Sequence, residues 1–292
     1  MTLISIISPT YQLIEAGRQA FFTQAFASLH SQTNCQFEHI IVDGASADGT
    51  VQHISGLIEG LPIDAAPVHF LSEPDNGLYD AMNKGAAMAK GQYLVFLNSD
   101  DFFNSPDALS ILSSKMEHGD PSYIFGRQFS LDETGTKRLW KNMSPKSILN
   151  QMPFGYASIA FKRDMFLALN GHDTRYKICA DYDLIFRIIG GGYRGKRLKE
   201  PIGVFRTGGV SGDTERTSLE HMRFWKVRMN DFVDISHISD DEILLWLHRG
   251  QFPIRLLLSI FCQPNTPRDL RNACMHAAIK TVRRIFKSRK NC

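Results

Sequence analysis

The run Tyr93-Leu94-Val95-Phe96-Leu97 sets the strongest limit on how this chain can fold. It has no polar break, with Gly91 just before it and Asn98-Ser99-Asp100-Asp101 after it. A half-solvated helix would show polar residues every third or fourth position. A strand covered on both faces needs none, and the run has the length of a strand. It therefore predicts an interior strand of a parallel sheet. That strand ends on two carboxylates. In open α/β sheets ligands gather just beyond the carboxyl ends of strands, which makes Asp100 and Asp101 candidates for a metal or ligand site. The other reading of the pair is a surface loop that caps a helix beginning near Pro106.

The first hundred residues repeat this grammar. Predicted strands at Leu3 to Ile7, Phe37 to Val42 and Val68 to Leu71 alternate with predicted helices at Ala16 to Ser31, after Thr50, and at Leu78 to Ala89. Strand–helix alternation of this kind is the mark of βαβ units and a parallel sheet. The strands close on Pro9-Thr10-Tyr11, on Asp43 and on Asp100-Asp101, so one rim of the sheet collects carboxylates. Beyond Pro106 the pattern loosens: a helix over 107–118, strands near 122–125, 128–131, 157–161 and 201–205, and helices over 163–169 and 181–189. From Thr214 onward the chain reads as helical. We expect a domain over 1–213, with a nucleotide-binding half at 1–105 and an acceptor half at 106–213, and a helical extension over 214–292.

Composition narrows the function. The five cysteines are scattered without a CxxC pair, which argues against a disulfide framework or a zinc site and for a reducing compartment. The N-terminal apolar run stops at Pro9 and reads as a strand, not a leader, and no apolar run is long enough to cross a bilayer. From Arg249 onward, ten Lys and Arg face one acid, Asp269, while the residues before it hold 23 bases against 29 acids. A mildly acidic body with a strongly basic tail predicts a tail that meets an anionic surface. In the segment Arg268 to Lys290, Met275, Ile279, Val282 and Phe286 share one helical face and bases surround the other, the pattern of a helix lying on anionic lipid. Packing of that stripe on the rest of the protein is the alternative. Interleaved aromatics that would favour nucleic acid are missing.

No GxxxxGK[ST] or GxGxxG loop follows the first strand, which disfavours nucleoside triphosphate hydrolysis and dinucleotide redox chemistry. A diphosphate bound at a rim of carboxylates would need a divalent ion between them. Five stretches bring a family into view. They are Ser8-Pro9-Thr10-Tyr11; Ile40 to Thr50 (IIVDGASADGT); Glu73 to Gly85 (EPDNGLYDAMNKG); Leu97-Asn98-Ser99-Asp100-Asp101; and Ala180 to Arg187 (ADYDLIFR). In this order and at these distances they resemble the family 2 glycosyltransferases that build bacterial surface polysaccharides, over roughly residues 1 to 210.

The resemblance implies an α/β GT-A (Rossmann-like) fold: a mostly parallel sheet flanked by helices, here with a C-terminal helical extension. It implies that Pro9, Thr10 and Tyr11 line a nucleotide pocket, that Asp43 accepts a hydrogen bond from the base, and that Asp75 lies near the nucleotide or donor sugar. Asp100 and Asp101 match the acidic motif that holds ribose and a Mg²⁺ or Mn²⁺ ion, and Asp181 matches the general base. The activity implied is inverting transfer from a nucleotide-sugar, UDP-linked in the better-known members, to a glycan or polyprenyl-linked acceptor. The enzyme would be cytoplasmic and peripheral on the inner face of the plasma membrane. The chain departs from the family at Asn98, where many members carry an acid, and near Gly155 to Ser158, where relatives often show a His-Gln pair. Two other readings stand beside it, a sugar nucleotidyltransferase and a non-catalytic nucleotide-sugar-binding protein. Arg187 is read either as an ion-pair partner or as a diphosphate ligand, Gly208 to Gly212 as a lid or a plain loop, and Trp225 as core.

Overall fold

Apolar residues in the first strands pair them into a sheet whose interior is dry on both faces. β1 (Ile4–Thr10) and β2 (Phe37–Asp43) are buried throughout, as is β4 (Tyr93–Phe96). With β3 (Val68–Ser72) they form a parallel set in the order β3-β2-β1-β4. A computed structural model describes residues 3–33, 35–116, 119–140, 144–209 and 214–290, with side chains given as far as Arg284. Within these the chain forms two compact units. The first is Met1–Lys141, Phe154–Lys177 and Arg194–Gly209; the second is Asn142–Pro153, Ile178–Tyr193 and Val210–Cys292. The division thus also encloses 142–153 and 178–193, whereas the sequence reading drew one boundary after residue 213.

The first unit holds the whole nine-stranded sheet. Beyond β4 come β8 (Ile159–Lys162), β6 (Tyr123–Leu131), β9 (Gly195–Arg206) and β5 (Phe102–Phe103), with β7 (Lys137–Leu139) paired to β6. β8 runs antiparallel to β4, so the parallel order breaks there. The two strands expected near 122–125 and 128–131 are one strand, β6. β9 is longer than expected because its partner is β6, and their register slips on either side of Arg127, opposite Pro201. Proline has no N–H to give a ladder, so an irregularity at that point is the local solution.

Helices α1 (Gln19–His30), α2 (Thr50–Glu59), α3 (Leu78–Met88) and α4 (Ala108–Met116) cover the sheet. Ile4, Ile6, Val95, Leu97, Leu109 and Leu112 share one core cluster, and Phe22, Ile41 and Ile54 another. β2 also carries two polar residues into the interior, and both are bonded. Glu38 accepts from the Ser5 hydroxyl at 2.6 Å and from the amides of Lys90 and Gly91 at 2.6 and 3.1 Å. On the next residue, His39 Nε2 lies 3.1 Å from Ser8 Oγ and Nδ1 3.2 Å from His30 Nε2.

The second unit is helical: α6 (Ala180–Gly190), α7 (Thr214–Asn230), α8 (Asp240–Arg249), α9 (Ile254–Cys262) and α10 (Arg268–Lys290). The first unit's short helix α5 (Arg163–Ala168) completes the set. Trp225 is fully buried, stacked 5.3 Å from Phe252 and edge-on to Trp246 at 6.4 Å, in keeping with its reading as core. α10 buries Leu270, Ala273, Cys274, Ala277 and Thr281, and leaves Met275, Ile279 and Val282 exposed. Phe286 lies outside the described side chains. No helix among the described residues is long and apolar enough to cross a membrane. The four described cysteines, Cys35, Cys179, Cys262 and Cys274, are free.

Candidate active site

Strand register builds the rim of the first unit. Thr10 pairs with Asp43, and Asp43 with Ser72, at the carboxyl ends of β1, β2 and β3. The Asp43 carboxylate is fully buried and takes four donors. Oδ1 accepts from Thr10 Oγ1 at 3.2 Å and Ser46 Oγ at 2.6 Å, and Oδ2 from Ser46 N and Ser72 Oγ, both at 2.8 Å. A carboxylate has about four lone-pair sites. All of Asp43's are therefore engaged within the protein, and a hydrogen bond to a base requires one donor to release. Ser46 also receives Gln12 N at 2.7 Å, and Asp48 receives Glu15 N at 2.8 Å, so the loops after β1 and β2 are tied together. Pro9 fits in β1 because the pairing of that strand with β4 stops at Ile7, leaving no ladder bond for proline to break.

The loop after β2 comes close to Asp75. A Cβ on Gly44 would stand 2.8 Å from Asp75 Oδ2 and 3.1 Å from the Tyr11 ring, so residue 44 has room for no side chain while those two stay in place. Asp75 Oδ1 accepts Gly77 N at 2.7 Å. Burial raises the Asp75 pKa first, helped by the charges of Asp80 and Asp43, against the pull of that amide and of Lys84. The Tyr11 ring is 60% exposed, a flat apolar face open to a planar ligand.

Asp100 and Asp101 follow β4 directly, in the turn that leads to β5. Asp101 is only 1% exposed; it accepts Arg206 N at 3.2 Å and Asn98 Nδ2 at 3.3 Å. Burial and then the neighbouring Asp100 charge drive its pKa well above the ordinary carboxylate range. Asp100 meets Arg18 at 3.5 Å, and Gly209 lies beside it. The Asn98 side-chain oxygen, Oδ1, is buried and has no hydrogen-bond partner. Two adjacent carboxylates, Asp100 beside Arg18 and Asp101 buried near Arg206, and one orphaned amide oxygen are hard oxygen donors, the set that suits a divalent cation with water and diphosphate oxygens completing its shell. No cluster of three or more His, Cys, Asp or Glu occurs among the described residues, so the protein supplies few ligands. Val210 to Gly212 of the glycine-rich stretch lie outside the described residues.

Sequence reasoning missed a further group in the first unit. His172 is buried; its backbone N–H donates to Asn83 Oδ1 at 2.9 Å while Asn83 Nδ2 donates to its carbonyl at 2.9 Å. That fixes the amide, so the Nδ1 that faces the same oxygen at 3.2 Å carries the proton. Nε2 is then an acceptor, and the Tyr156 hydroxyl donates to it. The Tyr156 ring stacks on Phe96 at 5.7 Å.

In the second unit Asp181 occupies the first turn of α6 and accepts Tyr182 N at 2.7 Å. The bend that enters that helix is held by Glu220 of α7, which accepts the amides of Ile178 and Cys179 at 2.7 and 3.1 Å. Glu220 is a positioning residue that no spacing in the sequence could reveal. Asp183 is fully buried between two guanidinium groups, Arg187 Nε at 2.8 Å and Arg228 Nε at 2.6 Å. Arg187 is therefore an ion-pair partner, and Asp183, fully buried and bonded to both arginines, is not open to an acceptor hydroxyl.

Residues 5–174 match the profile described as Glycosyl transferase family 2. The chain belongs to glycosyl transferase family 2. Relatives of this family 2 chain include an uncharacterized glycosyltransferase of Mycobacterium tuberculosis, 35% identical over 166 residues, which cover 52% of this chain and 57% of that relative. A PGL/p-HBAD biosynthesis glycosyltransferase of Mycobacterium bovis is 28% identical over 190 residues, or 63% of this chain and 69% of its own. Among solved structures, S. aureus TarS 1-349 in complex with UDP superposes with a TM-score of 0.62 at 16% identity, covering 100% of this chain and 92% of that one. The mannosyltransferase PcManGT of Pyrobaculum calidifontis, in complex with GDP-Man and Mn²⁺, gives 0.63 at 17% identity over 96% and 86%. These likenesses establish the fold: the family 2 chain has the GT-A arrangement expected of it, with a helical C-terminal region.

Proposed function

We propose that the chain is an inverting glycosyltransferase that moves a sugar from a nucleotide-sugar, a UDP-sugar in the first instance, to a lipid-linked or polysaccharide acceptor. The observation that carries this reading is the Asp100-Asp101 pair at the sheet rim, with Asp101 buried and its pKa raised, beside the orphaned Asn98 side-chain oxygen. Solved structures of this fold hold UDP in one case and GDP-Man with Mn²⁺ in another. A Mg²⁺ or Mn²⁺ ion held by Asp101 and Asp100 would stabilise charge on the departing diphosphate. Tyr11 offers its exposed ring to the base, Asp43 keeps the loop beneath it in shape, and Asp75 presents an oxygen toward the nucleoside. Asp181 takes the proton from the acceptor hydroxyl as its oxygen bonds to the anomeric carbon and the bond from that carbon to the diphosphate oxygen breaks. One displacement inverts the sugar. A carboxylate is a weak base, so holding Asp181 in place, through Glu220 and the first turn of α6, contributes as much as its basicity.

The catalytic domain, in this reading, comprises 1–213, and the C-terminal extension brings it to the inner face of the plasma membrane. The exposed stripe Met275, Ile279 and Val282 on a basic helix supports that attachment. Calorimetric titration of UDP with Mn²⁺ and with EDTA tests the donor site, and UDP release from UDP-sugars in the presence of native membranes tests transfer. We expect binding only with the ion, and transfer lost in Asp181→Asn with UDP affinity retained. Equal affinity in EDTA, or wild-type turnover in the variant, would count against the assignment.

A further inference from the structure

Away from the catalytic residues, the C-terminus of α8 carries polar groups that nothing above uses. The helix stops at Gly250, whose φ of 55° is left-handed, and three polar heads surround the bare face of that glycine. A Cβ on Gly250 would lie 3.1 Å from Arg284 Nη1, 3.4 Å from Asn150 Oδ1 and 3.5 Å from Lys280 Nζ. Lys280 and Arg284 are one turn apart on α10. Asn150 follows the 3₁₀ turn Pro145–Ser147, which packs on α10 within the same unit.

Arg284 donates to the Arg249 carbonyl and so closes α8, a common use of a base at the negative end of a helix. That bond explains Arg284 but not Lys280. Burial, and then the Arg284 charge, depress the Lys280 pKa, and no carboxylate raises it. Both polar atoms of the Asn150 amide are buried, and neither has a hydrogen-bond partner. A buried amide left unbonded and two cations held together are each unfavourable. An anion with several oxygens relieves the two cations and takes a hydrogen from Asn150 Nδ2, while Oδ1, the amide atom near Gly250, is an acceptor and is left to Lys280 or Arg284. Planar carboxylate offers two; a tetrahedral phosphate group offers three or more and suits donors that converge from separate segments.

We propose that Asn150, Lys280 and Arg284 form a phosphate-binding site at the end of α8, distinct from the donor site. The phosphate is that of a lipid headgroup or of a soluble phosphate. Ile279 and Val282, exposed on the same helix, place apolar surface near it in sequence, as a lipid source would need.

The test uses the full chain in EDTA, which keeps ion-dependent diphosphate binding at Asp100-Asp101 out of the measurement. One arm titrates inorganic pyrophosphate. The other compares vesicles of phosphatidylcholine containing phosphatidic acid with vesicles containing phosphatidylserine at equal surface charge, which separates recognition of a phosphomonoester from general attraction. Lys280→Ala is the deciding variant, because Arg284→Ala also removes the α8 closure; thermal melting without ligand verifies that it is folded. We expect Lys280→Ala to weaken pyrophosphate binding, or the preference for phosphatidic acid, by about fivefold or more, the equivalent of about 1 kcal/mol for one cation. Loss in the first arm assigns a soluble phosphate, and loss in the second alone a lipid. A folded variant that loses less than this in both arms overturns the site.

Discussion

Asp183 gives the sharpest energetic case at the level of single residues. Its carboxylate is fully buried and bonded to Arg187 and Arg228, both largely buried themselves. Removing the acid takes away the buried carboxylate that the two guanidinium groups share, and breaking a buried pair in this way costs about 3–5 kcal/mol. We expect Asp183→Ala to lower the unfolding free energy read from urea titration by that amount, while Asp173→Ala, whose partner Arg175 is exposed, stays within about 1 kcal/mol of wild type. Similar losses for the two would mean that the buried triad is not special. The comparison also shows how much of the site was legible. Asp43, Asp100 and Asp101 could be found from the sequence because each ends an apolar run. That Asp43 is engaged by Thr10, Ser46 and Ser72 could not, since those donors become neighbours only through strand register. Tyr156, His172 and Glu220 left no pattern at all, because their partners are distant in sequence.

At the scale of elements, periodicity located β1 to β4 and α3 to within a few residues, and it failed where strands are short or irregular. β5 has two residues and β7 has three, too few for any alternation to register. α10 is a subtler case. Its apolar stripe was visible, but burial follows a different face, built from Leu270, Ala273, Cys274 and Ala277, whose small side chains let neighbouring helices approach. The stripe Met275, Ile279 and Val282 is left in solvent, Ile279 at 47% exposure. Deleting the helix would also open the core around Phe252 and Ile260, so truncation is a poor test of attachment. Replacing the three residues with serine leaves the buried face intact. If the stripe inserts into lipid at about 1 kcal/mol per side chain, binding to anionic vesicles should fall by about 100-fold with melting unchanged. Unaltered sedimentation would point to a protein partner for that face instead.

Across the whole molecule, each unit buries a histidine with no acid to support its charge, and this sets the response to pH. His39 in the first unit is fully buried against Ser8, His30 and the Phe26 ring; burial, then the His30 charge, hold its pKa well below the usual value. In the second unit burial pushes His221 down to about 4. In the unfolded chain both titrate near 6.5. Between that value and the folded pKa the unfolded state binds more protons, so stability rises with pH and is lost as pH falls below about 6.5. At pH 5 His221, held near 4, costs about 2 kcal/mol relative to pH 7, and His39 acts in the same direction. Asp101 works in the opposite sense, since its raised pKa lets the folded state take up a proton first, so the total pH dependence mixes signs. Subtraction removes that mixture. Comparing wild type with His39→Gln and with His221→Gln at pH 7 and pH 5 isolates one histidine at a time, and each variant should lose less stability on acidification than wild type does, His221→Gln by about 2 kcal/mol. A variant as acid-sensitive as wild type would show that its histidine charges in the folded state without cost, and that its burial carries no penalty.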